Sequence, residues 1–181
     1  MLKFINIKTD KQSVPFIQKL YQKAFPKEEQ VPFFYLRNKA KKQHADLYGI
    51  YDDANFIGML YTITYQDIIF VFYLAIEESC QSMGYGSKLL QQLKIQYPGY
   101  RMILNMEEVD EQSEGYAQQV SRRKFYLHNG FVDANIKTRE KDVVYDMMVY
   151  GGELSYDEYA QLVKSFMGKR FFHLYYEQIL P

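Results

Sequence analysis

Gln81, Gly84 and Gly86 stand as Q-x-x-G-x-G, directly after the apolar run FVFYLAI and directly before the amphipathic stretch SKLLQQLKI. Glycine has no side chain to hold a ligand away, so the backbone amides around such a turn can converge on one anion from the start of a helix. The chemistry within reach is therefore the binding of a phosphate or pyrophosphate. Two other nucleotide motifs fail on spacing. The dinucleotide fingerprint needs a third glycine at position 89, which is Leu89, and no G-x-x-x-x-G-K followed by Ser or Thr occurs. An isolated G-x-G is more often only a tight turn, so these glycines gain meaning from their place between a strand and a helix.

Other reactive residue types offer less. Cys80 is the single cysteine, which excludes an internal disulfide and a thiol-rich zinc site. No histidine lies near it in sequence, so inert packing is expected rather than a nucleophile. His44, His128 and His173 are scattered without ligand spacing, and no metal is expected. The acids Glu107, Glu108, Asp110, Glu111 and Glu114 read first as a solvated loop. Arg122, Arg123 and Lys124 read as a solvated face or as cations within reach of a phosphate.

The elements that must position these groups follow from periodicity. A strand is expected over 3–8, and a helix over 14–25 carrying Phe16, Leu20 and Tyr21 and ended by Pro26. Pro32 opens a second helix with Phe33, Phe34, Leu36 and Ala40 on one side and Arg37, Lys39, Lys41 and Lys42 on the other. Stretches 47–51 and 56–65, separated by Asp52, Asp53, Ala54 and Asn55, read as a β-hairpin. The run 68–76 reads as a strand buried on both faces. A helix over 87–97 is striped with Leu89, Leu90 and Leu93, and a strand follows at 102–106. A helix over 116–129 closes at Gly130, with strands at 131–136 and 143–150 beyond it. Ser155, Tyr156, Asp157 and Glu158 form a capping box for a last helix buried through Tyr159, Leu162, Val163 and Phe166. Strands and helices intermix, which is the pattern of an α/β protein built on one sheet.

The 181 residues suit one domain, 1–181. With 48% hydrophobic and 17% aromatic residues the chain has far too much apolar surface to stay disordered. Twenty-two basic and twenty-two acidic residues cancel, so no global field gathers nucleic acid or an anionic membrane. The longest apolar run, 68–76, is nine residues, about half of the ~18 that a membrane span needs. The opening MLKFINIKTDKQ lacks the apolar core of a signal peptide. A soluble cytoplasmic protein is expected, with no membrane and no nucleic-acid partner. The region 155–181 is expected to be a C-terminal helix and an aromatic tail packed on its own domain or on a second subunit. The tail carries Phe171, Phe172, Leu174, Tyr175, Tyr176 and Ile179, too much apolar surface to leave in water, and a homodimer is the preferred way to cover it.

Taken in context, Q-x-x-G-x-G between a buried strand and an amphipathic helix resembles the coenzyme A motif of the GNAT N-acetyltransferase superfamily. Phe125, Tyr126, Gly130 and Phe131, standing as FYLHNGF at a helix end before a strand, resemble that superfamily's second signature. The likeness covers roughly residues 1–150 in element order and residues 74–93 and 125–131 in motif detail. It implies a single mixed, mostly antiparallel central sheet flanked by helices, and acetyl-CoA as the acyl donor. By position, the resemblance assigns the backbone of Leu74 and Ile76 to the pantetheine arm. It assigns the turn of Gln81, Ser82, Met83, Gly84, Tyr85, Gly86 and Ser87 to the pyrophosphate. It assigns to Tyr126 a proton or hydrogen bond for the departing thiolate. A phenol of pKa about 10 can protonate or hydrogen-bond a stronger developing base, although a helical tyrosine without the motif is more often a core residue with a satisfied hydroxyl.

The departures from the family pattern bear on mechanism. Many members carry a carboxylate within the buried strand as general base, whereas FVFYLAI has none and Tyr73 occupies such a position. Gln119 and Arg122 stand where the family often has an asparagine and a small residue. The base is left among Glu107, Glu108, Tyr73 and water. In the family the acidic loop borders the acceptor site, and a cationic amine would be drawn there. The function implied is acetyl transfer to a primary amine, most readily a small molecule, by direct attack in a ternary complex. The alternatives are a protein or tRNA acceptor, and a non-catalytic acyl-CoA-binding or regulatory domain.

Overall fold

The computed structural model describes residues 2–42, 44–140, 143–168 and 179–180. They fall into two compact units, one of residues 1–63 and 71–98 and the other of 64–70 and 99–181.

In the first unit, β1 (Lys3–Asn6) pairs antiparallel with β2 (Ala45–Asp52), and β2 pairs antiparallel with β3 (Asn55–Tyr65). The hairpin turns at Asp53, whose φ of 53° is one that aspartate tolerates. Helix α1 (Val14–Ala24) has proline in its first turn and buries Ile17, Leu20 and Tyr21. It ends at Phe25, held extended by Pro26. Helix α2 (Phe33–Lys39) starts after Pro32 and buries Leu36. Between them lies a short 3₁₀ turn, Lys27–Glu29, which periodicity does not reveal.

Strand β4 (Ile68–Ile76) is buried on both faces only over its first four residues. From Phe72 onward it alternates, with Tyr73 and Ala75 buried and Phe72, Leu74 and Ile76 half-buried. The expected two-sided burial of the whole strand is thus corrected: the second half has period two, and one face is incompletely covered. Gly58 on β3 is obligatory here, because a Cβ at that position would lie 2.5 Å from the Ala75 carbonyl oxygen. Helix α3 (Tyr85–Gln96) buries Leu89, Leu90 and Leu93 and stops before Pro98.

In the second unit, β5 (Arg101–Glu107) runs parallel to the start of β4, with Ile68, Ile69 and Phe70 opposite Arg101, Met102 and Ile103. Helix α4 (Tyr116–His128) follows the acidic loop, then β6 (Val132–Glu140) and β7 (Val143–Tyr150). Strand β7 pairs antiparallel with both β5 and β6. Helix α5 (Tyr156–Met167) begins with the expected capping box between Ser155 and Glu158 and buries Tyr159, Ala160, Leu162, Val163 and Phe166. Arg101 ties this unit together: its guanidinium holds Asp67 through two bonds of 2.8 Å, Glu158 at 2.7 Å and the Glu153 carbonyl at 2.7 Å. Strand β8 (Ile179–Leu180) pairs antiparallel with Thr138 and Lys137 of β6. The rest of the aromatic tail lies outside the described residues.

The strand order is β1-β2-β3-β4-β5-β7-β6-β8 in one sheet. The sheet is mixed and mostly antiparallel, as the family resemblance implies.

Candidate functional site

The Q-x-x-G-x-G turn joins the end of β4 to α3. After the 3₁₀ turn Glu78–Cys80, Gln81 is extended and its side-chain amide donates to the Ile76 carbonyl at 3.1 Å, fastening the turn to the strand. Ser82 (φ 60°) and Gly84 (φ 78°) are both left-handed, and left-handed residues in a turn make the concave amide arrangements that bind anions. Gly84 caps α3, and the helical ladder opens with Lys88 N–H donating to the Gly84 carbonyl at 3.1 Å. The N–H groups of Met83, Gly84, Tyr85 and Gly86 have no acceptor among the described residues. Four backbone donors thus stand open at the positive end of a twelve-residue helix. The Tyr85 hydroxyl donates to Asp52 at 2.7 Å, and the Lys88 ammonium lies 5.2 Å from the Tyr85 ring centre. The Asp52 contact raises the Tyr85 phenol above its ordinary value.

Leu74 and Ile76 have a common edge. Glu77 N–H donates to the Ile57 carbonyl of β3 at 2.9 Å, so by alternation the N–H and C=O of Leu74 and Ile76 turn to the opposite side of β4. The register of β4 with β5 ends at Phe70. In this unit the structure therefore brings together the strand edge and the amide turn that the sequence singled out. The Cys80 thiol lies 3.8 Å from the Ser79 hydroxyl, and the Cys80 N–H donates to the Glu77 carbonyl at 2.8 Å.

In the second unit, FYLHNGF is a helix terminus. Asn129 caps α4 by donating from its side chain to the Phe125 carbonyl at 2.8 Å, and Phe131 N–H donates to the Tyr126 carbonyl at 3.1 Å. Phe131 is 1% exposed, and the half-buried Tyr126 ring packs against it and against Phe125. The Tyr126 hydroxyl has no hydrogen-bond partner among the described residues. Burial raises its phenol above the ordinary value, and Arg122 opposes that rise. The group stays protonated and keeps a hydrogen to donate, although as an acid it is weakened. A core tyrosine with a satisfied hydroxyl is not what the geometry shows.

The candidate bases separate clearly. Tyr73 donates to the Glu29 carbonyl at 2.8 Å, lies 3.4 Å from Val31 N–H, and packs edge-on to Tyr21 and Phe25. Its hydroxyl holds the 3₁₀ segment in place, which argues against a role as base. Glu108 is paired with Lys137. Glu107 accepts from Gln119 at 3.2 Å and lies 3.9 Å from Arg122. Gln119, which stands where the family often has asparagine, is 8% exposed and organises the acidic loop: it also accepts from Asp110 N–H at 3.0 Å and reaches Ser113 at 3.4 Å. Arg123 is held by Asp133 at 3.0 Å and Asp146 at 2.8 Å, so of the three basic residues it is not free. Among the described residues, Asp110, Glu111 and Glu114 have no ion pair. No group of three or more His, Cys, Asp or Glu could hold a metal ion, and no helix is long and apolar enough to cross a membrane, among the described residues.

No curated protein is significantly similar in sequence. A GNAT-family chain from Bacteroides thetaiotaomicron is similar in structure, with a TM-score of 0.69 and 21% identity over 91% of this chain and 94% of that one. The ribosomal-protein-S18-alanine N-acetyltransferase of Escherichia coli superposes with a TM-score of 0.63 and 15% identity, over 86% of this chain and 96% of that one. An aminoglycoside 6'-N-acetyltransferase complexed with coenzyme A superposes with a TM-score of 0.63 and 13% identity, over 82% and 95%. At these identities the likeness is one of fold. In sequence, the pattern of the acetyltransferase (GNAT) domain matches residues 43–133, half of the chain, including both the amide turn and FYLHNGF. The chain belongs to the GNAT acetyltransferase family, whose enzymes take their acyl group from acetyl-CoA.

Proposed function

We propose that this chain, acting over its whole length as one acetyltransferase domain, moves the acetyl group of acetyl-CoA to a primary amine by direct attack in a ternary complex. The observation that carries this reading is the set of four open amides from Met83 to Gly86 at the start of α3, a receptor for the pyrophosphate. Gln81, Ser82 and Ser87 complete that turn, and the strand edge of Leu74 and Ile76 pairs with the pantetheine. The amine nitrogen attacks the thioester carbonyl, the C–S bond breaks, and the Tyr126 hydroxyl stabilises the thiolate as it leaves. The proton released from nitrogen goes to water or to Glu107, which lacks the close ion pair that holds Glu108.

A cationic acceptor suits the acidic loop, whose Asp110, Glu111 and Glu114, without an ion pair among the described residues, raise the local concentration of ammonium groups. A small-molecule amine, as for the aminoglycoside enzyme, fits this better than the ribosomal-protein-S18 alanine named for the Escherichia coli relative. One observation favours a second reading, a coenzyme A-binding domain without turnover: β4 has no carboxylate, and Tyr73 is fully engaged. Thiol release from acetyl-CoA with a panel of polyamines, aminoglycosides and aryl amines separates the two. Amine-dependent release is the expected result, and acetyl-CoA binding without release on any amine would favour the second reading.

A further inference from the structure

We infer that Asp52, at the end of β2, is a positioning residue for acetyl-CoA: through the Tyr85 hydroxyl it holds the amide turn before α3 in its anion-binding shape. This rests on the reading of that turn as the pyrophosphate cradle. The turn has little packing of its own. Ser82, Met83 and Gly84 are all exposed, and a Cβ at Gly84 would meet no atom within 4 Å. Ser82 and Gly84 both take left-handed backbone, which for a serine is strained, so a free loop would not keep the four amides together.

Two side chains flank this segment, and each ties it to a strand. On one side the Gln81 amide donates to the Ile76 carbonyl of β4 at 3.1 Å. On the other, Tyr85, the first residue of α3, donates to Asp52 Oδ2 at 2.7 Å. The acceptor is itself fixed, since Asp52 pairs with Asn55 to close the tight turn of Asp53 and Ala54. Among the described residues this is the only side-chain bond that Asp52 makes. A hydrogen bond to a carboxylate is shorter and roughly twice as strong as a neutral one, which suits it to hold an exposed turn.

The same tyrosine places a cation. The Lys88 ammonium lies 5.2 Å from the Tyr85 ring centre, in a first turn that has no acidic residue. A cation at the positive end of a helix is unfavourable until an anion arrives there. Anchoring the ring therefore sets both the Tyr85 N–H and the Lys88 charge for one ligand. Amides already aimed lose no freedom when a phosphate reaches them, so the clamp acts on affinity. The thioester lies at the other end of the cofactor, and turnover at saturating acetyl-CoA does not depend on the clamp.

The test reads the Kd of acetyl-CoA by calorimetric titration, which needs no acceptor, in wild type, Tyr85→Phe, Asp52→Ala, the double variant, Asp52→Asn and Tyr51→Phe. Tyr51 precedes Asp52 and donates its hydroxyl to Ser13 at 3.1 Å, so Tyr51→Phe takes a bond from the same strand and leaves the Tyr85–Asp52 bond in place. Tyr85→Phe and Asp52→Ala should each weaken acetyl-CoA ~5- to 50-fold, and the double variant no further, because all three lose one and the same bond. Asp52→Asn keeps an acceptor oxygen and should lose less than Asp52→Ala, while Tyr51→Phe should bind as wild type does. An unchanged Kd in Tyr85→Phe, additive losses in the double variant, or an Asp52→Asn as weak as Asp52→Ala would each overturn the inference. An equal loss in Tyr51→Phe would overturn it in favour of a general weakening of the hairpin. If Asp52→Ala does not fold, Tyr85→Phe set against Tyr51→Phe still decides. A wild type that binds no acetyl-CoA would end the cradle reading itself, an outcome distinct from the others.

Discussion

Replacing Gly84 by alanine separates the conformation of the amide turn from its steric requirements. Gly84 sits at φ 78° and ψ 5°, and a Cβ there would meet no atom within 4 Å. The cost of alanine is then that of a left-handed backbone alone, about 1–2 kcal/mol. For a chain of this size each kcal/mol moves Tm by roughly 2–4 °C, so the free variant should stay folded and melt roughly 2–8 °C lower. Acetyl-CoA at one hundred times Kd stabilises wild type by ~2.7 kcal/mol, or roughly 5–11 °C. A hundredfold loss of affinity, from a Cβ standing in the open space through which a phosphate approaches the Met83–Gly86 amides, would leave ~0.4 kcal/mol at the same concentration, or roughly 1–2 °C. Gly99 is the control, since its φ is 80° and it too has nothing within 4 Å. Gly99→Ala should lower the melting temperature of the free protein similarly and keep the full acetyl-CoA shift. Thermal melts of the three proteins with and without acetyl-CoA decide the matter, and a full shift in Gly84→Ala would refute the anion cradle.

Tyr126→Phe should lower kcat by ~10- to 10⁴-fold with acetyl-CoA affinity nearly intact; because the hydroxyl has no partner among the described residues, the melting temperature should not fall, and a marked fall would mean a packing role instead. Gly58→Ala would press a Cβ to 2.5 Å from the Ala75 carbonyl and 3.0 Å from Ile76 Cδ1. It should cost about 1–3 kcal/mol and weaken acetyl-CoA binding by displacing the Leu74–Ile76 edge, as calorimetric titration would register. Arg101, and next the Ser155 backbone, hold the Glu158 carboxyl down from its ordinary 4.5 to about 2, and Arg101 also depresses Asp67. Stability from these depressed carboxylates is fully present above pH 4.5 and is lost as pH falls toward 2. Acid melts of Arg101→Met should show a flatter slope in that window, and an unchanged slope would count against the Arg101 clamp.

Local signals were readable where chemistry and periodicity coincide. The 155–158 capping box, the prolines at 26 and 98 and the leucine stripe of α3 gave helix boundaries within two or three residues. The strand order was not readable from local pattern, because the parallel pairing of β4 with β5 and the place of β7 between β5 and β6 are set by contacts distant in sequence. The open second half of β4 was hidden because FVFYLAI is apolar at every position, whichever face is covered. Gln119 looked like a departure from the family asparagine, and only its bonds to Glu107, Asp110 and Ser113 reveal a loop clamp.

The most direct measurement uses acetyl-CoA labelled in the acetyl group, with mass spectrometry of both protein and acceptor. Incubated with an accepted amine, the enzyme should place the label in an amide on that amine, one equivalent per thiol released. Incubated without an amine, it should carry no label of its own. A labelled protein, on Cys80 or elsewhere, would contradict direct attack, and the absence of label from every amine would contradict acetyl transfer to an amine.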